Sequence, residues 1–336
     1  MRNNYRATNW EVKKEYMSNW VSYKNGNYNV SINLKNGTKI RENDLDYFEA
    51  NTVESMDIKI TNYCSGTGVF FSQQNENGGC PYCHENSGPN GKHADLREAS
   101  FLDKLHPYAE LAIGGGNPLS HPDLDYFLQY CKDKEFISSM TVNQVHFEKE
   151  FDRLKRYRDE QLIYGLGISL MKITPEFIEK VKEFPNAVIH VINGIVTVEQ
   201  LEQLKNNNLK ILILGYKEVR RGIKNYADNK DKIDFSKSAL YKKLPDIIEE
   251  NWFRVVSFDN LAIKQLDVRR LLDADAWEEF YMGNDGLDDG VASKSGTSQS
   301  MFVDMVERKF AKNSCSMERF DLMDTIEDMY SYLYRR

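Results

Sequence analysis

The sequence has 336 residues, a formal net charge of −7 at pH 7, 41% hydrophobic and 28% charged side chains. This length allows one large α/β barrel or two smaller domains, and the negative charge argues against a general nucleic-acid-binding surface. No run of about 18 apolar residues is present, so no membrane-spanning helix is expected, and the N-terminus lacks the apolar core of a signal peptide.

The N-terminal part carries the signals of a small antiparallel sheet. Two Asn-Gly pairs, Asn25–Gly26 and Asn36–Gly37, enclose a stretch in which Tyr28, Val30, Ile32 and Leu34 alternate with polar residues. Asn-Gly between alternating segments favours tight hairpin turns. We therefore predict a β-meander within residues 1–55, acting as a cap on the main body, with a partner-binding module as the alternative.

Three of the five cysteines follow the next predicted strand, at about 57–62. Cys64 comes directly after it, and Cys80-Pro-Tyr-Cys83 follows 15 residues later. Three soft thiolate ligands in one loop predict a metal site. The clustering also favours a reducing cytoplasm over a disulfide framework.

Two kinds of metal site are compatible with these thiols. A structural zinc site needs a fourth ligand, which His84 or His93 could supply. A [4Fe–4S] cluster bound by only three cysteines leaves one iron open for a substrate or cofactor. Three buried thiols without a metal are a third alternative.

The rest of the chain alternates between strand and helix patterns. A helix is predicted at 97–105, and an apolar strand at 110–114 runs into a triple glycine. Further strands are predicted at about 138–143, 164–170, 187–192, 209–214 and 253–258. Such alternation predicts a parallel sheet with helices packed around it.

The later chain is less regular. The charged segment 224–237 is expected to be a surface excursion. The polar loop 293–300 could close over a substrate or be an ordinary surface loop. A C-terminal helix is expected to bury Phe320, Met323, Ile326, Met329 and Leu333 on one face.

Two motifs together resemble the radical SAM superfamily. Its signature is Cys-x3-Cys-x-aromatic-Cys after the first barrel strand, with Gly-Gly-Glu-Pro ending the second. Cys80-Pro-Tyr82-Cys83 fits the second half of the first motif, and Gly114-Gly115-Gly116-Asn117-Pro118 is similar to the second.

The sequence departs from the family pattern twice. Fifteen residues instead of three separate Cys64 from Cys80, and Asn117 occupies the Glu position. The longer loop costs roughly 1.4 kcal/mol of additional closure entropy, whereas metal ligation contributes about 10 kcal/mol or more in small structural sites. Asn117 can still accept a hydrogen bond from an ammonium group.

The resemblance implies an α/β fold: a partial (β/α)6 TIM-like barrel with a small N-terminal β-meander and a C-terminal α/β extension. It covers about residues 57–222; the rest looks loosely like stand-alone members from phages and mobile elements. We expect three parts: the cap at 1–55, the barrel core at 56–225, and an extension at 226–336 that completes the barrel and covers the substrate side.

The resemblance also implies an activity. Cys64, Cys80 and Cys83 would bind a [4Fe–4S] cluster whose open iron chelates S-adenosylmethionine. Reductive cleavage would give a 5′-deoxyadenosyl radical that abstracts hydrogen from a small polar or nucleotide-like substrate, with flavodoxin or ferredoxin as electron donor. Only Cys131 and Cys315 remain outside the motif, too few for an auxiliary cluster.

Further cofactor contacts are implied by position. Gly114, Gly115 and Gly116 would let the backbone approach the methionine part, Asn117 would bind its ammonium group, and Tyr82 would lie near the adenine. The remaining candidates are polar residues beyond later strands, which could instead be loop-capping or surface residues: Asn143, Ser169, Asn193, Lys217 and Arg221. The alternative function is a zinc-stabilised binding or regulatory module that uses the same cysteines.

Overall fold

The computed structural model describes residues 19–45, 47–65, 79–280 and 299–334. Within these ranges the chain forms a three-stranded antiparallel sheet and a ten-stranded mixed sheet. The predicted polar insert between Cys64 and Cys80, and most of the predicted loop at 293–300, lie outside the described residues.

The N-terminal sheet consists of β1 (Trp20–Asn25), β2 (Tyr28–Asn33) and β3 (Lys39–Glu42). The first hairpin turns at Gly26, whose φ of 60° is readily adopted by glycine. In β2 the alternation buries Tyr28, Val30 and Ile32. The observed strands are those of a meander.

The large sheet has the order β10-β9-β8-β7-β6-β5-β4-β11-β12-β13. Eight strands, from β10 across to β11, are mutually parallel, and β12 and β13 continue the sheet antiparallel. The bounds are β4 (Ser55–Thr61), β5 (Glu110–Gly115), β6 (Ile137–Asn143), β7 (Gly165–Ser169), β8 (Ala187–Ile192), β9 (Lys210–Leu214), β10 (Val255–Phe258), β11 (Ser300–Asp304), β12 (Lys309–Ala311) and β13 (Phe320–Asp321).

Nine α-helices accompany these strands in the described ranges. They are α1 (Leu124–Asp133), α2 (Gln144–Lys149), α3 (Phe151–Asp159), α4 (Pro175–Lys182), α5 (Val198–Leu204), α6 (Arg221–Glu249), α7 (Asn260–Gln265), α8 (Ala274–Phe280) and α9 (Ile326–Tyr334). Their apolar faces join the strands in one hydrophobic core. This mixed α/β arrangement confirms the predicted fold class, with β4–β9 as the six expected strands.

Three local predictions were wrong. The C-terminal helix begins only at Ile326, and Phe320, which was expected on it, belongs to β13. Within the predicted helix at 97–105, only a 3-10 turn at Ser100–Leu102 forms. Its backbone hydrogen bonds join residues that are three apart rather than four apart. The segment 224–237 is not an excursion but part of α6. Its charged side chains pair one turn apart, as in Lys224–Asp228 and Lys230–Asp234, and such pairs stabilise a solvated helix.

Every helix in the described ranges is too short or too polar to cross a lipid bilayer.

A buried carboxylate connects the N-terminal sheet to the barrel. Glu54 lies directly before β4 and is fully buried. It accepts a hydrogen bond from Tyr28 Oη at 2.5 Å and ion-pairs with Arg41 Nη2 at 2.6 Å and Lys39 Nζ at 3.5 Å. Burial works to raise the pKa of Glu54, but the hydrogen bonds and charge of Arg41 and the charge of Lys39 outweigh it and lower the pKa.

We predict that Glu54→Gln lowers the free energy of unfolding by about 3 kcal/mol at pH 7, because it removes the anion of Arg41, whose side chain is only 21% exposed. A carboxyl whose pKa is lowered by folding stabilises the protein above its unfolded pKa, and this contribution is lost as the pH falls through the folded pKa. The difference between parent and variant should therefore shrink toward pH 3. Urea unfolding at pH 7 and at pH 3 measures the difference in free energy of unfolding, and Glu42→Gln, at an exposed position, is the control. A difference that does not change with pH would contradict the prediction.

Candidate functional site

The cysteine loop begins at the carboxyl end of β4 and returns beside its own start. The Cys64 N–H donates to Gly88 O at 3.0 Å, and Asn62 exchanges backbone bonds with Lys92 and Gly88. The returning segment carries a tight turn in which Cys83 N–H donates to Cys80 O at 3.1 Å. The strand end and the Cys80–Cys83 turn therefore belong to one structural unit.

All three thiols in this unit are unbridged and partly buried. Within the described ranges no three His, Cys, Asp or Glu side chains are placed to hold a single metal ion. A four-iron cluster makes a different demand, because each of its cysteines binds a different iron and the sulfurs need not converge on one point. The donor chemistry of Cys64, Cys80 and Cys83 fits such a cluster, and their role as its ligands stays a prediction.

The histidines near the loop have other contacts. His93 Nδ1 is 2.9 Å from Thr61 Oγ1, and His84 Nε2 is 3.5 Å from Glu85. No sequence motif pointed to His146 as part of this site. Its Nε2 lies 3.9 Å from Cys64 Sγ. This contact joins α2 to the first cysteine.

The glycine loop after β5 crosses directly over the start of the cysteine loop. Gly116 N–H donates to Thr61 O and Asn117 N–H to Tyr63 O, each at 2.7 Å. A Cβ on Gly116 would lie 2.1 Å from Tyr63 O, and one on Gly115, whose φ is 120°, would lie 2.3 Å from Thr61 O. Only glycine permits this approach. In contrast, a Cβ on Gly114 would meet no atom within 4 Å.

Two predicted cofactor residues lie within these loops. The Asn117 side chain is buried, and its Oδ1 accepts a hydrogen bond from Leu119 N–H at 3.2 Å. A carbonyl oxygen has two lone pairs, so one remains for a ligand. Burial raises the pKa of the Tyr82 hydroxyl, and the neighbouring Cys80 and Cys83 raise it further. Tyr82 is therefore neutral and close to both thiols.

Three candidates lie at the ends of later strands. Asn143 Oδ1 accepts from Val145 N–H at 3.0 Å and so caps α2. Ser169 ends β7 and is half-buried. Asn193 is fully buried; its Nδ2 donates to Gln265 at 3.1 Å, while its Oδ1 has no hydrogen-bond partner among the described residues. A capping role thus accounts for Asn143 alone among the three.

Lys217 and Arg221 follow β9 and take different places. Lys217 is half-buried. Burial raises the pKa of Asp57 and Asp259, which the charge of Lys217 opposes, and burial lowers the pKa of His84, which this charge lowers further. Arg221 instead lies against the cysteine loop: its Nη2 donates to Ser87 O, and Gly79 leaves room for its guanidinium group. The structure therefore brings Arg221 to the loop backbone and Lys217 to the ionisable groups of the interior.

Sequence reasoning missed the charged interior beneath the cysteine loop. Lys59 alternates with the core residues of β4 and faces the other side of the sheet, where it is 2% exposed. Its Nζ is 2.8 Å from Glu85 and 2.9 Å from Asp304. One sequence feature indicated this charged interior: the polar residues Asp57, Lys59 and Thr61 alternate with apolar residues along β4.

Small side chains form most of the inner wall next to this charge. Inward positions of β5, β6 and β7 carry Ala112, Gly114, Ser139, Thr141, Gly165 and Gly167. A Cβ on Gly167 would lie 2.4 Å from the His190 ring, so glycine makes room for that ring. Burial lowers the pKa of His190 to about 4, which leaves its imidazole neutral at pH 7. The small-residue wall thus lies beside the neutral ring of His190.

Asp57 lies between the inner wall and a cavity at the amino end of β4. Burial raises the pKa of its carboxyl, which Lys217 opposes and Glu85 reinforces. Asp57 also lines a cavity of about 330 Å³ at the amino ends of β4 and β11, together with Arg41, Ser55, Gln299, Ser300, Met301, Lys312 and Asn313. An acidic group therefore lies at this end of the interior.

Comparison with solved structures finds the same fold in SuiB of Streptococcus suis. The structure of SuiB bound to S-adenosylmethionine gives a TM-score of 0.58, and SuiB bound to the precursor peptide SuiA gives 0.55. In both cases the identity is 11%, and the match covers 93% of this chain and 87% of SuiB.

No family model matches the sequence, and no curated protein matches it significantly. At 11% identity the likeness to SuiB concerns the fold. The chain therefore shares the fold of SuiB.

Proposed function

We propose that the protein is a stand-alone radical SAM enzyme. The observation that carries this proposal is the close crossing of the cysteine loop and the glycine loop at the carboxyl ends of the neighbouring strands β4 and β5. Ligands of parallel α/β sheets bind at this edge. The likeness to a fold seen with S-adenosylmethionine supports it independently.

Each element of the site has a separate task in this proposal. Cys64, Cys80 and Cys83 would hold the [4Fe–4S] cluster, which supplies one-electron cleavage of S-adenosylmethionine and so a 5′-deoxyadenosyl radical for hydrogen abstraction. Gly114 would leave space for the methionine part, while Asn117 would accept a hydrogen bond from its ammonium group.

Other residues would orient the adenosine part of the cofactor. Tyr82, half-buried and neutral, would lie against the adenine. Asn193 offers a buried oxygen without a hydrogen-bond partner, suited to a ribose or adenine donor. Asn143, Ser169, Lys217 and Arg221 remain candidates for the cofactor's carboxylate or ribose.

The substrate would occupy the interior between the small-residue wall and His190. The neutral imidazole of His190 and the Asp57 carboxylate offer hydrogen-bonding groups there. A small polar or nucleotide-like metabolite fits this chemistry. SuiB binds a precursor peptide, which makes a peptide segment the second substrate class. We further propose a cytoplasmic location and a flavodoxin or ferredoxin as electron donor.

A zinc-stabilised binding or regulatory module on the same cysteines is the competing function. It requires a fourth ligand, and the contacts of His84 with Glu85 and of His93 with Thr61 engage both candidate histidines. The metal content of the purified protein separates the two functions.

We predict that anaerobically prepared protein binds about four irons per chain and forms 5′-deoxyadenosine from S-adenosylmethionine after reduction with dithionite. Cys80→Ala should lose most of the iron and all of this product, because the open cluster would keep only two thiolates. Cys315→Ala is the matched control and should keep both. Iron and sulfide analysis with product chromatography provides the measurement; a colourless protein with one zinc would establish the binding module instead.

We predict a different result for the glycine loop. Gly114→Val should leave the melting temperature and iron content unchanged, since its side chain enters open space, but should weaken S-adenosylmethionine binding at least tenfold, or about 1.4 kcal/mol. Equilibrium binding to the cluster-loaded protein measures this.

Gly116→Ala provides the contrast. Its Cβ would collide with the Tyr63 backbone, so this variant should lower the melting temperature as well. Unchanged cofactor affinity in Gly114→Val would show that the methionine part does not occupy the space beside Gly114.

A further inference from the structure

Five charged side chains form a continuous series from the C-terminal segment to the cysteine loop. We call it the charge chain; in spatial order it runs Arg319, Asp304, Lys59, Glu85, Arg220. The nitrogen–oxygen distances along it are 3.1, 2.9, 2.8 and 3.5 Å. Positive and negative groups alternate, so every anion lies between two cations.

The centre of the charge chain is removed from solvent. The side chains of Asp304, Lys59 and Glu85 are 0%, 2% and 6% exposed. Charges in such surroundings are screened little and interact strongly. Burying them is costly unless they are paired, which makes a purely incidental arrangement improbable.

Both ends of the charge chain are bound to loop backbone. Arg319 donates to Ser316 O and Ser314 O at 3.3 and 3.0 Å. Arg220 donates to His84 O at 2.6 Å. The charge chain therefore links two loops: the loop before β13 and the loop that carries the cysteine turn.

Glu85 is the member that belongs to the cysteine loop. It follows Cys83 by two residues, and Asn86 N–H closes the same turn by donating to Cys83 O at 3.3 Å. Lys59 approaches its carboxylate from β4, and Arg220 approaches it from the segment after β9. The Lys59–Glu85 ion pair thus connects the Cys80–Cys83 turn to β4.

We propose that Glu85 is a positioning residue that fixes the Cys80–Cys83 turn against β4 and, with Lys59, sets the electrostatic environment of the cluster. The proposal rests on the proposed function for the cluster and adds residues outside the cysteine and glycine motifs. Lys59 is shared with Asp304, so the cysteine turn is also coupled to β11.

The geometry allows the pair to be altered without an isolated buried charge. Without Glu85, Lys59 still pairs with Asp304; without Lys59, Glu85 keeps Arg220 and Asp304 keeps Arg319. Glu85→Gln, Lys59→Met and the double variant should therefore fold. Glu250→Gln, which breaks an exposed ion pair with Lys205, is the matched control.

The first measurement uses the metal-free protein. Iodoacetamide alkylation of Cys80 and Cys83, followed by mass spectrometry, should proceed at least threefold faster in Glu85→Gln than in the parent, because the turn has lost its anchor. In the Glu250→Gln control, these two cysteines should be alkylated at the parent rate. Since no cluster is needed, this result tests the positioning role even if the protein binds no iron.

The second measurement is the cluster's midpoint potential, followed by electron paramagnetic resonance. Reduction adds negative charge, so Glu85→Gln should favour the reduced state and Lys59→Met should disfavour it. We expect about a tenfold change in the reduction equilibrium for each, or about 59 mV for one electron, in opposite directions. The double variant should return close to the parent.

These outcomes separate the two proposals. A parent protein without iron removes the proposed function, while faster alkylation in Glu85→Gln would still support the positioning role. Alkylation and potential equal to those of the Glu250→Gln control would overturn the positioning role while the radical SAM function stands. Potential shifts of the same sign in both single variants would also overturn it.

Discussion

The site depends on one steric constraint, the contact between the backbone that ends β4 and the backbone that leaves β5. Two hydrogen bonds of 2.7 Å join these segments, and any side chain on Gly115 or Gly116 would prevent them. Adjacent parallel strands bring their carboxyl ends together anyway. The glycines bring the following loops into direct contact, so that thiols and cofactor-binding backbone share one small region.

A second constraint concerns the interior of the sheet. One side of β4 belongs to the apolar core, and the other carries Asp57 and Lys59 into a space with few large side chains. Small residues on β5–β7 open this space, while the buried ion pairs occupy the part beneath the cysteine loop. The interior is therefore divided into two regions. Buried ion pairs fill the region beneath the cysteine loop, and the region beside His190 has few large side chains.

The sequence was sufficient where the determinants are local. The strand ends, the cysteine turn and the glycine loop follow from periodicity and short motifs, and the two Asn-Gly turns predict the first sheet. The helix expected at 97–105 failed because tertiary packing selected a 3-10 turn. The segment 224–237 was misread because its ion pairs, not apolar residues, support the helix on its solvent side.

Long-range contacts explain what could not be predicted in the site. Arg221 remains a candidate ligand, and its contact with the cysteine loop backbone, 134 residues away in sequence, could not be read from the sequence. Asn143 was chosen for its place at a strand end, where it caps the following helix. The partners of Lys59 come from a loop and from a strand near the other end of the chain, and no local pattern connects them.

The pairing of β11 with β4 has a consequence for biosynthesis. Lys59 and Asp304 are 245 residues apart, so during translation the first barrel strand leaves the ribosome long before its neighbour exists. Until β11 arrives, Lys59 lacks one of its two anions and one edge of β4 is uncovered. The native surroundings of Lys59 therefore form only after synthesis has proceeded past β11.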